Sequence, residues 1–250
     1  IQYFEKIDEK EVKEICDGFK DMRLNISGSA ACPVKLFKQW KELTGQTLLE
    51  RYGMTEIGMA LSNPYRGERR PGYVGQALPD VAVRLVDEEG GIVTGEDTPG
   101  EIQIQSPTVF LEYWGNAEAT ETSFFDEWFC PGDIEVIENV YYRILGRSSV
   151  DIIKSGGYKL SALEIENTLL AHPQIGEVAV VGIADRTWGE VVAAVVALKG
   201  GDDITLEDLK GWCDGKLSSY KMPKQLRVVG ALPRNAMGKV VKPSLRPLFE

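Results

Sequence analysis

Between residues 9 and 20 the apolar positions Val12, Ile15 and Phe19 recur at three- and four-residue intervals among charged ones, which predicts an amphipathic helix. Leu24 to Ile26 reads as a short strand opening into the small-residue loop Ser27-Gly28-Ser29-Ala30. A second helix is expected from about Pro33 to Leu43, proline being suited to a first helical position. Thr47 to Leu49 is expected to form another short strand, ending in a loop at Arg51-Tyr52-Gly53. Strand, loop, helix and strand in this order suit the end of an α/β layer, whose functional loops lie beyond the carboxyl ends of the strands.

At Val81 the period changes from helical to twofold. Residues 81–86 alternate, and so do 101–105. Ile134–Ile137 and Tyr141–Leu145 predict a hairpin around Glu138-Asn139, because asparagine tolerates positive φ. The stretch from Val81 to Leu145 therefore reads as all-β, a small barrel or sheet attached to the α/β layer.

After Arg147 strands and helices alternate again. Ser161 and Glu164 have the S-x-x-E spacing of a capping box for a helix reaching about Ala171. Residues 177–183 and 191–198 are apolar strands, 205–217 a helix and 225–229 a strand. About 100 residues of this kind suffice for a compact α+β domain. The expected fold class is α/β plus α+β, with a first domain over residues 1–146, a joint at 147–151 and a second domain over 152–250.

A hydrophobic content of 43% over 250 residues allows one large core or two smaller ones. No stretch reaches the ~18 to 20 apolar residues of a membrane-spanning helix. No secretory leader is visible, since Ile1-Gln2-Tyr3-Phe4 runs straight into charge, and a first residue other than methionine fits a start inside a longer polypeptide. The formal charge of −10 argues against nonspecific binding to nucleic acid or acidic lipid, while a few local Lys and Arg can still hold a small anion. Cys16, Cys32, Cys130 and Cys213 show no CxxC spacing. They read as buried, reduced thiols of an intracellular compartment: cytosol, mitochondrial matrix or plastid. The single histidine rules out a multi-His metal site; His172, next to Pro173, is expected to cap or cover the end of its helix.

Three polar stretches remain: R-Y-G-M-T-E (Arg51–Glu56), G-R-S-S-V-D-I-I-K-S-G-G-Y-K-L-S-A-L-E-I-E (Gly146–Glu166) and P-R-N-A-M-G-K (Pro233–Lys239). Each reads as a loop with few side chains that pack and several that can hold anionic oxygens. Together they point to a nucleotide site divided between two lobes.

In this order the three motifs resemble the adenylate-forming superfamily of acyl-CoA synthetases, peptide-synthetase adenylation domains and luciferases. Within it L-L-E-R-Y-G-M-T-E, S-N-P-Y-R-G-E-R and L-P-R-N-A-M-G-K-V are most similar to malonyl-CoA synthetases. The resemblance covers nearly the whole chain and implies the end of a large N-terminal domain, with its α/β layer and small β-barrel, followed by a mobile C-terminal α+β domain. It implies an ATP-dependent acid–thiol ligase. A carboxylate attacks the α-phosphate of Mg·ATP to give acyl-AMP and pyrophosphate, and the thiol of coenzyme A then displaces AMP. Two anions must meet in the first step, so cationic and hydrogen-bonding groups have to offset the repulsion.

The resemblance assigns Lys239 as the adenylation lysine, on a tight turn after Gly238. Gly28, Ser29 and Ala30 would let backbone approach the adenine and acyl group, within an ATP/AMP set that also takes Glu50 and Arg51. Tyr52 would stack on adenine, Thr55 would donate to the α-phosphate, and Glu56 would be the Mg²⁺ carboxylate. Asp133 would accept the ribose hydroxyls, although Pro131 stands where the family usually has threonine, and Arg147 would bind ribose or phosphate. Ser149, Val150 and Asp151 fall at the family's hinge, and Ser155-Gly156-Gly157 would pass the pantetheine arm of coenzyme A. Arg51 is the best local partner for a second carboxylate, as in malonate, with Arg66, Arg69 and Arg70 nearby in what also reads as a solvated charge run.

The family's Ser/Thr/Gly-rich phosphate loop has no counterpart in this sequence, so the chain resembles the second half of a synthetase and is expected to adenylate poorly or not at all alone. Methylmalonate or a short monocarboxylate, another short- or medium-chain acyl-CoA ligase, and a noncatalytic nucleotide- or acyl-CoA-binding module remain open. The partners implied are small molecules, with no nucleic acid and no integral membrane segment.

Overall fold

The computed structural model describes residues 4, 7–30, 32–200, 203–236 and 238–249. Ile1–Tyr3 and Met237, which figure in the sequence reading, lie outside the described residues. The chain divides into two compact units, one of residues 1–131 and 135–144, the other of 132–134 and 145–250.

The first unit begins with α1 (Glu9–Lys20), whose N-cap Asp8 accepts from the Glu11 N–H at 2.9 Å. β1 (Ile26–Ser27) leads to α2 (Val34–Thr44), where Pro33 sits one place earlier than expected, as N-cap. Gly45, at φ 73°, closes α2 by donating to Lys41 O at 2.8 Å. β2 (Leu49–Met54) and β3 (Gly58–Ser62) form an antiparallel hairpin, and with β4 (Gln76–Ala77) the sheet order is β1-β2-β3-β4. Phe37, Leu48 and Cys32 pack beneath α2.

β5 (Ala82–Val86), β6 (Gly100–Gln105), a short α3 (Ala117–Thr122), β7 (Phe124–Phe125), β8 (Trp128–Phe129), β9 (Asp133–Glu138) and β10 (Tyr141–Arg147) follow. They build a six-stranded sheet with the path β10-β9-β6-β8-β7 and β5 paired to β6. The barrel alternative is corrected: the sheet stays open, with β10 and β7 at the two ends of its path, and the β10 end takes an isolated bridge between Tyr142 and Gly75 instead. α3 interrupts what the alternation suggested was all-β; it is too short and polar to show a period. The β9–β10 turn is Asn139-Val140, both at positive φ, one residue later than expected. Phe110, Phe124 and Phe129 fill the core beside Ile57, Leu61, Ile102 and Ile104.

The second unit contains β11 (Ile152–Ser155), β12 (Tyr158–Ser161), α4 (Ala162–Leu170), β13 (Ile175–Asp185), β14 (Gly189–Leu198), α5 (Leu206–Cys213) and β15 (Gln225–Val228). Its sheet runs β12-β11-β14-β13, with β15 parallel to β14. Val192, Ala194 and Val196 face α4 and α5, while Ala193 and Val195 face a second core with Leu232 and Leu245. Burial on both sides explains the unbroken apolar run.

Three expectations change in this unit. Residues 152–161, read as part of a loop, instead form the β11–β12 hairpin, with Gly156-Gly157 at its turn. Ser161 accepts from the Glu164 N–H at 3.1 Å, but the Glu164 carboxylate turns to Lys221 Nζ at 2.7 Å, so only half of the capping box forms. α5 stops at Cys213, short of Leu217, because Asp214 leaves helical geometry and Gly215 takes φ 70°. Residues Lys242–Phe249 form a 3-10 helix containing Pro247, with Leu245 buried, which the sequence pattern does not reveal.

Candidate functional site

In the first unit the R-Y-G-M-T-E motif is mostly strand. Arg51 to Met54 belong to β2, and Thr55, Glu56 and Ile57 make the turn into β3. Strand pairing slips between Tyr52 and Gly53, and a Cβ on Gly53 would lie 2.1 Å from Gly58 O. Only glycine fits there, and the crossing throws Thr55 and Glu56 to the tip of the hairpin. Thr55 is exposed and Glu56 half-buried. The loop at 106–113 pins that tip: Phe110 N donates to Glu56 O at 2.7 Å, Thr108 Oγ1 to Ile57 O at 2.7 Å, and Tyr113 OH to Glu56 Oε1 at 3.1 Å. Tyr52 is buried in the core beneath.

Gly28 and Arg51 are brought together. A Cβ on Gly28 would meet Arg51 Nε at 2.8 Å, so the guanidinium lies against the bare backbone of the small-residue turn. Ser29 holds a left-handed φ of 71°, unusual outside glycine, and with Ala30 is exposed. Glu50 faces inward, 6% exposed, and accepts from the N–H groups of Gly72 (3.0 Å) and Cys32. Burial pushes its carboxyl up to about 7, against those two hydrogen bonds. Beside it, burial and the Glu50 charge push the Cys32 thiol up to about 11, an unreactive state at neutral pH.

The other arginines separate by role. Arg69 is committed to structure, donating to the carbonyls of Pro64 (3.2 Å), Thr47 (2.6 Å) and Tyr65 (2.8 Å). Arg70 stacks over Tyr141 and reaches Glu138 O and Glu68. Arg66 is exposed.

In the second unit Asp133 and Arg147 meet, with Arg147 Nε 3.3 Å from Asp133 Oδ1. Asp133 is buried and Arg147 half out. Gly132, at φ 80°, accepts from Ser148 N at 3.0 Å, which ties the Gly132-Asp133 turn to the residue after Arg147. Lys239 is exposed on a turn closed by Asn235 N donating to Lys239 O (2.9 Å) and Lys239 N to Asn235 Oδ1 (3.0 Å).

Gly156 and Gly157 turn at φ 57° and 83°, with Ser155 buried at the end of β11. Trp188 closes over the turn: Gly156 N donates to Trp188 O at 2.8 Å, and a Cβ on Gly156 would strike the indole at 2.8 Å. Lys224 Nζ stands 4.3 Å from the indole centroid. Sequence reasoning missed Trp188 and Lys224. The available signal was Asp185-x-x-Trp188-Gly189, where Asp185 Oδ1 captures the N–H groups of Thr187 and Trp188. His172 is structural, as expected: its Nδ1 accepts from Gln174 N and its ring meets Trp212 edge-on.

Residues 4–114 match the AMP-binding enzyme family, and residues 164–239 match the AMP-binding enzyme C-terminal domain. The chain belongs to the adenylate-forming, AMP-binding family. It is 49% identical over 94% of its length to the mitochondrial malonate–CoA ligase ACSF3 of Mus musculus, and 45% identical over its whole length to a malonate–CoA ligase of Arabidopsis thaliana. Among solved structures it is similar to ATP-bound MatB from Rhodopseudomonas palustris, with a TM-score of 0.84 and 42% identity over 91% of this chain. The chain spans 43%, 42% and 46% of these three relatives respectively, so the AMP-binding signature here is carried by less than half of their length.

Proposed function

We propose that this chain is the carboxyl-terminal portion of a malonate–CoA ligase, which activates malonate with ATP to malonyl-AMP and pyrophosphate and then transfers the acyl group to coenzyme A, releasing AMP. The observation that carries the reading is the meeting of Asp133 and Arg147 beside the Gly132–Ser148 hydrogen bond. A buried carboxylate held against a guanidinium suits paired ribose hydroxyls next to a phosphate. Lys239 supplies the mobile ammonium of the first step, and Thr55 a hydroxyl for the α-phosphate. Arg51, laid against Gly28, presents a planar donor pair for a second carboxylate, which favours a dicarboxylate over a fatty acid. Ser155, Gly156 and Gly157 serve the thiol step, and Ser149 to Asp151 the change between steps.

Mg²⁺ fits Glu56 as a single ligand. One of its oxygens accepts from Tyr113, and among the described residues no group of three or more His, Cys, Asp or Glu could cage an ion. Mg²⁺ commonly keeps waters and substrate phosphates around one or two carboxylates, and supplies charge neutralisation at the phosphates. The four cysteines are free, which supports a reducing intracellular compartment, and the Mus musculus relative is named as mitochondrial. Among the described residues no helix is long and apolar enough to cross a membrane.

The test fuses this chain to the amino-terminal half of the Rhodopseudomonas relative and offers a carboxylate panel with ATP, Mg²⁺ and coenzyme A. The expected result is malonate-dependent AMP release, with Lys239→Ala abolishing acyl-AMP formation and sparing thioester formation from supplied malonyl-AMP. Equal loss of both steps would contradict the role of Lys239. Preference for a monocarboxylate would favour the other acyl-CoA ligases. Malonyl-CoA formation by the 250 residues alone would overturn the expectation that they are insufficient.

A further inference from the structure

Three residues past Lys239, Lys242 is buried, 8% exposed, and opens the C-terminal 3-10 helix. Its ammonium pairs with Asp151 Oδ1 of the joint and with Glu166 Oε1 of α4 at 2.7 Å. Asp151 Oδ2 also accepts from Arg147 N at 3.1 Å, and Glu166 Oε1 from Val180 N at 2.7 Å. The other leg of the lysine turn is held by Arg234, which donates to Gly238 O at 2.8 Å and pairs with Glu177 Oε2 at 3.0 Å. Val241 N donates to Pro233 O at 2.9 Å and closes the base.

A buried ion cluster of this kind adds little net stability over apolar side chains of the same volume, but it enforces one geometry, because a displaced charge is left unpaired. The cluster joins segments about 90 residues apart in sequence, by the spacing of Asp151 and Lys242.

We infer that Lys242, assisted by Arg234, is a positioning residue that fixes the turn bearing Lys239 to Asp151, on the far side of Ser149 and Val150, so that the turn and Asp151 form one body. The inference rests on the roles proposed for Lys239 and for the joint. It explains why a flexible lysine on an exposed turn has so constrained a base. Backbone rotation at Ser149 and Val150 then carries the lysine turn along as a rigid arm.

The test is amide hydrogen exchange by NMR on the 250-residue chain. Lys242→Met leaves two half-buried carboxylates without a cation and endangers folding. The decisive variant is therefore D151N/K242M/E166Q, which removes every charge of the cluster at nearly constant volume. Exchange at Lys239 and Val241 should rise at least about tenfold, and exchange at Asp151 with it, while Ala193 and Val195 in β14 stay unchanged. Lys242→Arg should keep wild-type protection at Lys239, Val241 and Asp151. Wild-type exchange at Lys239 and Val241 in the triple variant would overturn the proposal. Faster exchange at the turn without change at Asp151 would do the same, as would failure of the triple variant to fold. None of these outcomes depends on whether Lys239 acts on acyl-adenylates, which the partial-reaction assay decides separately.

Discussion

Glu50→Gln is predicted to stabilise the first unit at pH 8 and to leave it nearly unchanged at pH 5. The carboxyl is almost fully buried and is pushed by burial to about 7 from an ordinary 4.5. The folded protein therefore keeps this proton to a higher pH than the unfolded chain does. The resulting penalty is absent well below pH 4.5, grows as pH rises, and is complete above about pH 7. The gap between the two values corresponds to about 3 kcal/mol at full development. Glutamine carries no charge to desolvate and retains an oxygen for the Gly72 or Cys32 N–H, but accepts more weakly than a carboxylate, which takes back about 1 kcal/mol. A net gain of about 2 kcal/mol at pH 8 follows. Urea titrations at the two pH values, read by mass-spectrometric exchange on peptides from β2 and β3, measure it. A Gln variant whose stability difference from wild type is the same at both pH values, or turns unfavourable as pH rises, would refute the argument.

Gly53→Ala should cost about 3 kcal/mol or more in thermal or urea unfolding, since its methyl would occupy the space of Gly58 O; a near-neutral effect would mean the β2–β3 crossing can relax. Arg69→Ala frees three carbonyls near the surface and should cost about 2 kcal/mol, with faster exchange confined to residues 63–73. His172 is the one histidine of the sequence, so its Hε1 resonance titrates alone. Burial lowers its pKa against the pull of Asp208, so the midpoint should fall below 6.5. Stability should accordingly be lost as pH falls below 6.5; a midpoint above that value would contradict the packing against Trp212.

The helices α1, α2 and α4 were legible from the shared face of Val12, Ile15 and Phe19, from Pro33 at a helix start and from the spacing of Ser161 and Glu164, whereas the caps Asp8 and Gly45 became visible only in the structure. β13 and β14 were legible as long apolar runs. The hairpin that places Thr55 and Glu56 was not: Arg51, Tyr52 and Gly53 look like loop residues, and what makes them strand is pairing with Ser62, Leu61 and Met59. The 3-10 helix after Lys242 hides behind Pro243 and Pro247, and its burial depends on a core assembled from β13 and β14. Lys239, Asp133, Arg147 and the glycine turn could be singled out through the resemblance of their motifs to the family. Trp188 and Lys242 could not, since an isolated tryptophan or lysine carries no period and gains meaning only from the chain segments folded against it.

Because residues 191–197 of β14 are valine and alanine throughout and face a core on either side, sliding that central stretch by one residue would still set apolar side chains against apolar ones. Hydrophobicity alone therefore cannot choose its alignment with β13. That choice falls to the polar hairpin end, where Asp185 gathers two backbone donors and Gly189 supplies the left-handed φ of 78°. A handful of atoms at the rim thus decides which volumes meet in two separate interiors, and errors made there would be silent in composition yet disruptive to every layer below.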